Sequence, residues 1–129
     1  MEARRDDWLP DLLKDWADWY VGRLNSAYPD SSTLWRAVMS PVTGEAGSRP
    51  PRDVTPPPGL SQVALAMNNL LTDSDVGEAV SVVRAYYCFG EEKTLEKFKT
   101  SNGTQLKRRR MFDLKGRGEF AIRGFLKAH

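Results

Sequence analysis

The chain reads as all-α, a small helical domain with a C-terminal helix-turn-helix and a Pro-rich loop between its N- and C-terminal helices. Three observations carry that expectation. Apolar residues recur at three- and four-residue steps on both sides of residues 40–59. Six of the eight prolines fall inside that stretch, so they do not interrupt the periodic segments. Near the C-terminus, Ser101, Asn102 and Gly103 separate a short helical segment from a longer one. Two helices joined by a short Gly-containing turn define a helix-turn-helix.

The first helix begins after Asp6 or Asp7, either of which suits an N-cap. Pro10 fits the first turn, where its missing N–H removes no helical bond. Leu9, Leu12, Leu13, Trp16, Tyr20 and Leu24 form the apolar stripe, running roughly to Asn25. Asp11, Lys14, Asp15, Asp18 and Arg23 take the polar side. Trp8 and Trp19 lie off the stripe and have two readings. They wrap the edge of the core, or they form a protein-docking face, since Trp is enriched at binding hot spots.

Tyr28-Pro29 breaks the helix. Asp30, Ser31 or Ser32 caps a short second one, with Trp35 expected to pack back on the first helix. Residues 40–59, SPVTGEAGSRPPRDVTPPPG, lack apolar periodicity. The triple proline at 56–58 favours extended polyproline II. A structureless loop of this length is uncommon inside a compact domain, which favours a linker or surface loop. A partner reading the proline run, or phosphate contact by Arg49 and Arg52, is the competing view. The expected layout is an N-terminal helical segment (1–39), a Pro-rich linker or loop (40–59), and a helical domain (60–129) holding the helix-turn-helix at about 91–115.

Ser61 is expected to cap a third helix carrying Val63, Ala64, Met67, Leu70 and Leu71. Thr72, Asp73 and Ser74 interrupt it and offer caps for a fourth, with Val76, Val80, Val83 and Tyr87 on its stripe. Gly90 suits the left-handed position that ends a helix. Leu95 and Phe98 face inward from a short fifth helix. Thr104 then caps a sixth, on which Leu106, Met111 and Leu114 face the core with Arg110 beside them. That register continues to about Leu126, with KGRG at 115–118 as a kink or a break.

Charge is strongly segregated. From Lys93 onward there are eleven Lys and Arg against three acidic residues, a net +8. Up to Glu92 there are eight basic and fourteen acidic residues, a net −6. Pooled basic charge points to a polyanion partner for the C-terminal half.

Catalytic chemistry is poorly provided. His129 is the single histidine and Cys88 the single cysteine. That argues against nucleophilic triads, a structural zinc site and an intramolecular disulfide. Phosphate-binding and dinucleotide glycine motifs are lacking. The expectation is a binding protein, not an enzyme, with no cofactor, metal or catalytic residue. A charged N-terminus and no long apolar run suggest a cytoplasmic protein without membrane contact.

Lys107, Arg108, Arg109 and Arg110 are the strongest binding signal. In a helix-turn-helix the second helix enters the major groove of double-stranded DNA with its N-terminal residues toward base edges. With Thr104 as cap, Gln105 and Arg108 are the base-edge candidates, since Gln reads adenine and Arg reads guanine with paired hydrogen bonds. Lys107, Arg109, Lys115 and Arg117 are the phosphate candidates, and Asn102 is presented from the turn. A solvated basic face and an RNA contact without base readout are the alternatives.

AVSVVRAYYCFGEEKTLEKFKTSNGTQLKRRRMFDLKGRGEFAIRGFL resembles the helix-turn-helix of sigma factor region four and of small phage antitermination proteins of the Q type. The shared pattern is Tyr86, Tyr87 and Gly90 at a helix end, a short helix, a turn, and a basic helix with Leu106 and Arg109 or Arg110. A closing helix ends in Phe125-Leu126, and DWADWYVGRL is similar to the Trp-rich opening of those antiterminators. The resemblance implies binding to a DNA element near a late promoter, contact with RNA polymerase, and suppression of pausing and termination in the host-cell cytoplasm. Thr104, Gln105, Lys107, Arg108 and Arg109 are the matching recognition positions. The alternative is an interaction module that binds polymerase or another host protein through the acidic, Trp-rich first helix, without specific DNA binding.

Overall fold

The computed structural model describes residues 8–27, 31–39, 57–100 and 103–128. Among these the chain is all-α, with α1 at Trp8–Ala27, α2 at Ser31–Val38, α3 at Ser61–Leu71, α4 at Gly77–Phe89, α5 at Glu91–Lys97 and α6 at Arg108–Ala128. Most of the Pro-rich segment, and its Arg49 and Arg52, lie outside the described residues. Pro57 is extended at φ −59°, ψ 157°, as polyproline II requires, but Pro58–Leu60 already turns as a 3-10 helix leading into α3. Ser61 does not cap α3. It is the first helical residue, and its hydroxyl donates to the Pro58 carbonyl at 3.1 Å.

The centre of the fold is α4. It buries Gly77, Ala79, Val80, Val82, Val83, Arg84 and Ala85, which span most of its circumference, because other elements cover it on several sides. One core joins Leu9, Leu13, Trp16 and Ala17 of α1 to Val63, Ala66 and Met67 of α3, Val80 and Val83 of α4, and Ile122 of α6. The segments either side of the Pro-rich stretch therefore share a core. A second cluster packs Ala79, Val82 and Ala85 against Phe98, Leu106, Met111 and Leu114. Leu24, Leu34 and Val38 make a third, between α1 and α2. Among the described residues, Trp35 packs with the α4-centred cluster, whereas its spacing suggested α1. Its ring meets Phe89 at 5.0 Å, at the C-terminal end of α4.

Local chemistry explains the boundaries. Asp73 accepts from the amides of Asp75 (2.7 Å) and Val76 (3.1 Å), so it organises the turn that starts α4. Gly90 ends α4 and begins α5 at φ 94°, ψ 171°. That is an extended, positive-φ conformation reserved for glycine, not the left-handed helical one expected. KGRG breaks nothing, and α6 is continuous from Arg108 to Ala128. At Gly118 an added Cβ would stand 2.6 Å from the Ala79 carbonyl oxygen and 2.6 Å from Val83 Cγ2. This glycine is where the backbones of α4 and α6 meet.

Cys88 lies at the C-terminal end of α4, beside Phe89. Burial pushes its thiol from an ordinary 9.0 up to about 12, with the Arg84 charge acting in the opposite sense. The unfolded thiol ionises near 9 and the folded one does not until about 12. Across that window the native state holds the extra proton, so Cys88 makes stability fall as pH rises. Burial raises Tyr20 and Tyr87 in the same direction. Native Cys88 is partly exposed but held as the neutral thiol, so it is expected to react with thiol reagents at pH 8 much more slowly than once the chain is unfolded in urea. Native labelling as fast as in urea would contradict the raised thiol pKa.

Candidate nucleic-acid interface

The basic run sits where α6 begins. That start is Arg108, four residues later than Thr104. The described residues between α5 and α6, 98–100 and 103–107, belong to a bridged turn, longer than the short turn expected. The Lys99 and Gln105 backbones pair as a single antiparallel bridge. The Thr100 amide donates to the Thr104 carbonyl at 2.9 Å, and the Thr104 amide donates to the Thr100 hydroxyl at 3.2 Å. Gly103, at φ 80°, closes the tip. Phe98 and Leu106 anchor the two ends of the turn in the second cluster. Thr104 lies inside this turn, ahead of the helix that begins at Arg108, and does not cap it.

All but one of the expected contact residues now have a place. Asn102 lies outside the described residues. Thr104 is an exposed turn residue. Gln105 Nε2 donates to the Leu95 carbonyl at 2.9 Å, in the last turn of α5. One amide hydrogen is therefore engaged internally, while the residue stays exposed. Lys107 precedes the first helical residue, and its carbonyl accepts from the Met111 amide at 2.7 Å. That makes Lys107 the N-cap. Arg108, 72% exposed, pairs with Glu91 of α5 at 2.8 Å. Arg109 is exposed, and among the described residues neither it nor Lys107 makes an ion pair.

Arg110, expected beside the inward residues, is half exposed, less so than Arg108, and is bonded to Asp113 at 3.0 Å. The inward positions of α6 are Met111, Leu114, Gly118 and Ile122, and Arg110 falls on their flank. It lies between two shallow cavities of about 400 and 320 Å³ that share Glu78 as a wall. Arg117 reaches the same Asp113 at 3.9 Å.

Lys115 leaves the phosphate set. Its ammonium lies 4.7 Å over the Tyr86 ring and 2.9 Å from Glu119, with only 18% of the side chain exposed. Tyr87 donates to the same Glu119 carboxylate at 2.6 Å. Burial, reinforced by that hydrogen bond, raises the Tyr87 hydroxyl. This network ties α4 to α6 and holds Lys115 inside.

The two tryptophans differ. Trp19 packs against the main core beside Tyr20. Trp8 is 38% exposed, with the Arg123 guanidinium 5.6 Å above its ring. Of the pair, Trp8 is the more exposed, with exposed Asp11 one turn on. Among the described residues no helix is long and apolar enough to cross a membrane, and no group of His, Cys, Asp and Glu is arranged to hold a metal ion.

Spacing alone contained the correct start of α6. Met111, Leu114, Gly118 and Ile122 step by three and four, whereas Leu106 to Met111 is five. A helix begun at Thr104 puts Leu106 out of that register. Glu91, the counter-charge to Arg108, had no such signal, because their pairing depends on the bridged turn. No family model, curated protein or solved structure matches the chain.

Proposed function

We propose that this chain is a DNA-binding transcription regulator without enzymatic activity, whose phosphate-contacting element is the basic start of α6. One observation carries the reading. The positive end of a 21-residue helix has no acidic residue in its first turn, a Lys at its N-cap, and three Arg after it. Unpaired amides and the helix dipole there favour negative charge, so basic side chains are the unfavourable choice for the helix alone. A phosphate seated there satisfies the amides and the side chains together. Lys107 and Arg109 are the primary contacts, with Arg108, Arg110 and Arg117 at the rim. The resemblance to Q-type antiterminators supplies the setting, a DNA element and RNA polymerase in the host-cell cytoplasm. The partly exposed Trp8 and the acidic ridge of α1 suit the polymerase contact.

Selection from random duplexes followed by a salt titration tests this. Neutralising roughly three to five phosphates predicts a log–log salt slope of about −3 to −4.5. Glu91→Gln frees Arg108 and is expected to tighten binding several-fold. A salt-independent affinity would sink the proposal, as would equal binding after Lys107→Ala with Arg109→Ala. Preference for single-stranded RNA over every duplex would reassign the same surface.

A further inference from the structure

We propose that the paired cavities beside Arg110 are one binding site for a nucleotide, taking its phosphate in one lobe and its base in the other. The first lobe, about 400 Å³, lies between the bridged turn and the starts of α4 and α6. The second, about 320 Å³, lies between the turn that precedes α4, the start of α4 and the middle of α6. Each is the size of a small-molecule site, roughly 300–1,000 Å³. Arg110 and Glu78 line both lobes, so a ligand's anion and its ring can lie either side of one guanidinium.

The two linings differ in charge. Around the first lobe Lys107 and Arg110 outnumber Glu78, which leaves an excess of positive charge. The Thr100 hydroxyl lines it too. It accepts from the Thr104 amide at 3.2 Å and keeps its own hydrogen to give. Phosphate oxygens take charge-assisted bonds from such a set. Around the second lobe Arg110 and Arg117 are balanced by Asp75 and Glu78, over an apolar floor of Ala79 and Leu114. A neutral ring suits that lobe better than a second anion, provided its edge carries both donors and acceptors. Phe120 also lines the second lobe and is 79% exposed, so its ring has a face open for stacking. A nucleobase meets all of these conditions. Its faces stack on aromatic rings, its amino groups suit carboxylates, and its carbonyl and ring-nitrogen acceptors suit arginine.

Asp113 lies outside both linings. It holds Arg110 through one nitrogen at 3.0 Å, and a guanidinium has further N–H donors to offer. That bond orients Arg110 before a ligand arrives, which lowers the cost of ordering it on binding. Asp75 lines the second lobe and not the first, so it is the acceptor for the amino group of the base. Cytosine, whose amino group a carboxylate accepts, is therefore favoured over uracil.

Titration of the full chain with single nucleotides, followed by amide chemical shifts, tests the site. It shares Lys107 with the DNA-binding reading above, but no duplex is used, so either can fail alone. Cytidine 5′-monophosphate is expected to give saturable shifts at Thr104, Arg110, Arg117 and Phe120. Cytidine lacks the phosphate and should bind about tenfold more weakly or worse. Ribose 5-phosphate lacks the base and should lose about fivefold or more, the worth of one stacked base. Phe120→Ala, an exposed position that leaves the core intact, should lose a similar factor for cytidine 5′-monophosphate and leave ribose 5-phosphate unchanged. Phe120→Trp should restore it. Asp75→Asn, whose amide can serve either base edge, should narrow the preference for cytidine over uridine 5′-monophosphate. A gain on moving to the dinucleotide with a 5′-phosphate assigns the site to a nucleic-acid strand, and a gain on moving to cytidine diphosphate assigns it to a free nucleotide. Ribose 5-phosphate binding as tightly as the full nucleotide would leave an anion site only and overturn the proposal. So would a Phe120→Ala variant that binds cytidine 5′-monophosphate like wild type, or a wild type without saturable shifts at these amides.

Discussion

Gly118→Ala is expected to destabilise the protein by about 1–3 kcal/mol, the usual cost of overpacking a filled core. Helix propensity alone predicts the opposite sign, a gain of about 1 kcal/mol. Contact decides between them. The new methyl would stand 2.6 Å from a backbone oxygen and 2.8 Å from the carbonyl carbon of Ala79, neither of which is a flexible side-chain end. Relief requires α6 to move off α4, and that loosens Val83 and Ile122 in the main core and Leu114 in the second. Gly116→Ala, two residues earlier and open to solvent, is the control and should gain up to about 1 kcal/mol. Urea unfolding of both variants measures the contrast. If both stabilise, the close approach of α4 and α6 is wrong. Gly118→Val should be worse than Gly118→Ala, since Val83 Cγ2 is as near as the oxygen.

These two glycines mark what was legible in the chain before its fold was known. Helix existence and order follow from local signals. The stripe from Leu9 to Leu24, the Asp73 turn, the break at Gly90 and the apolar steps of α6 all act within a few residues. The long-range facts are different in kind. KGRG reads as a weak point because glycine is a poor helix former, yet a neighbouring helix turns one of its glycines into a packing requirement. Thr104 reads as a cap because its side chain suits one, yet it lies inside the bridged turn whose ends Phe98 and Leu106 anchor. Lys115 reads as a free cation, yet Tyr86, Tyr87 and Glu119 enclose it from another helix. In each case a tertiary contact outweighs a local preference of about 1 kcal/mol or less. Basic charge survives this filtering best. Lys107 and Arg109 stay exposed because a charged side chain has no cheap buried alternative.

Lys107→Asp is expected to stabilise the protein and to weaken DNA binding together. Lys107 holds the N-cap of α6, and its carbonyl accepts the first helical bond from Met111. A Lys side chain offers no acceptor to the free amides of the first turn. Aspartate does, and a good N-cap is worth about 0.5–2 kcal/mol over a poor one. Its charge adds about 0.3–1 kcal/mol through the helix dipole at low salt. The same carboxylate occupies the position proposed for a phosphate and repels it. Losing one charge-assisted contact of about 1.5–3 kcal/mol lowers affinity by at least tenfold, and the salt slope falls by about one. Lys107→Ser separates the two effects, since it supplies the cap without the negative charge. It should keep most of the stability gain and lose less affinity. Urea unfolding and duplex binding on the same preparations give both numbers. A Lys107→Asp protein that is less stable than wild type would show that α6 is not capped here. One that is more stable and binds DNA undiminished would leave the basic start of α6 without the role that its unfavourable placement implies.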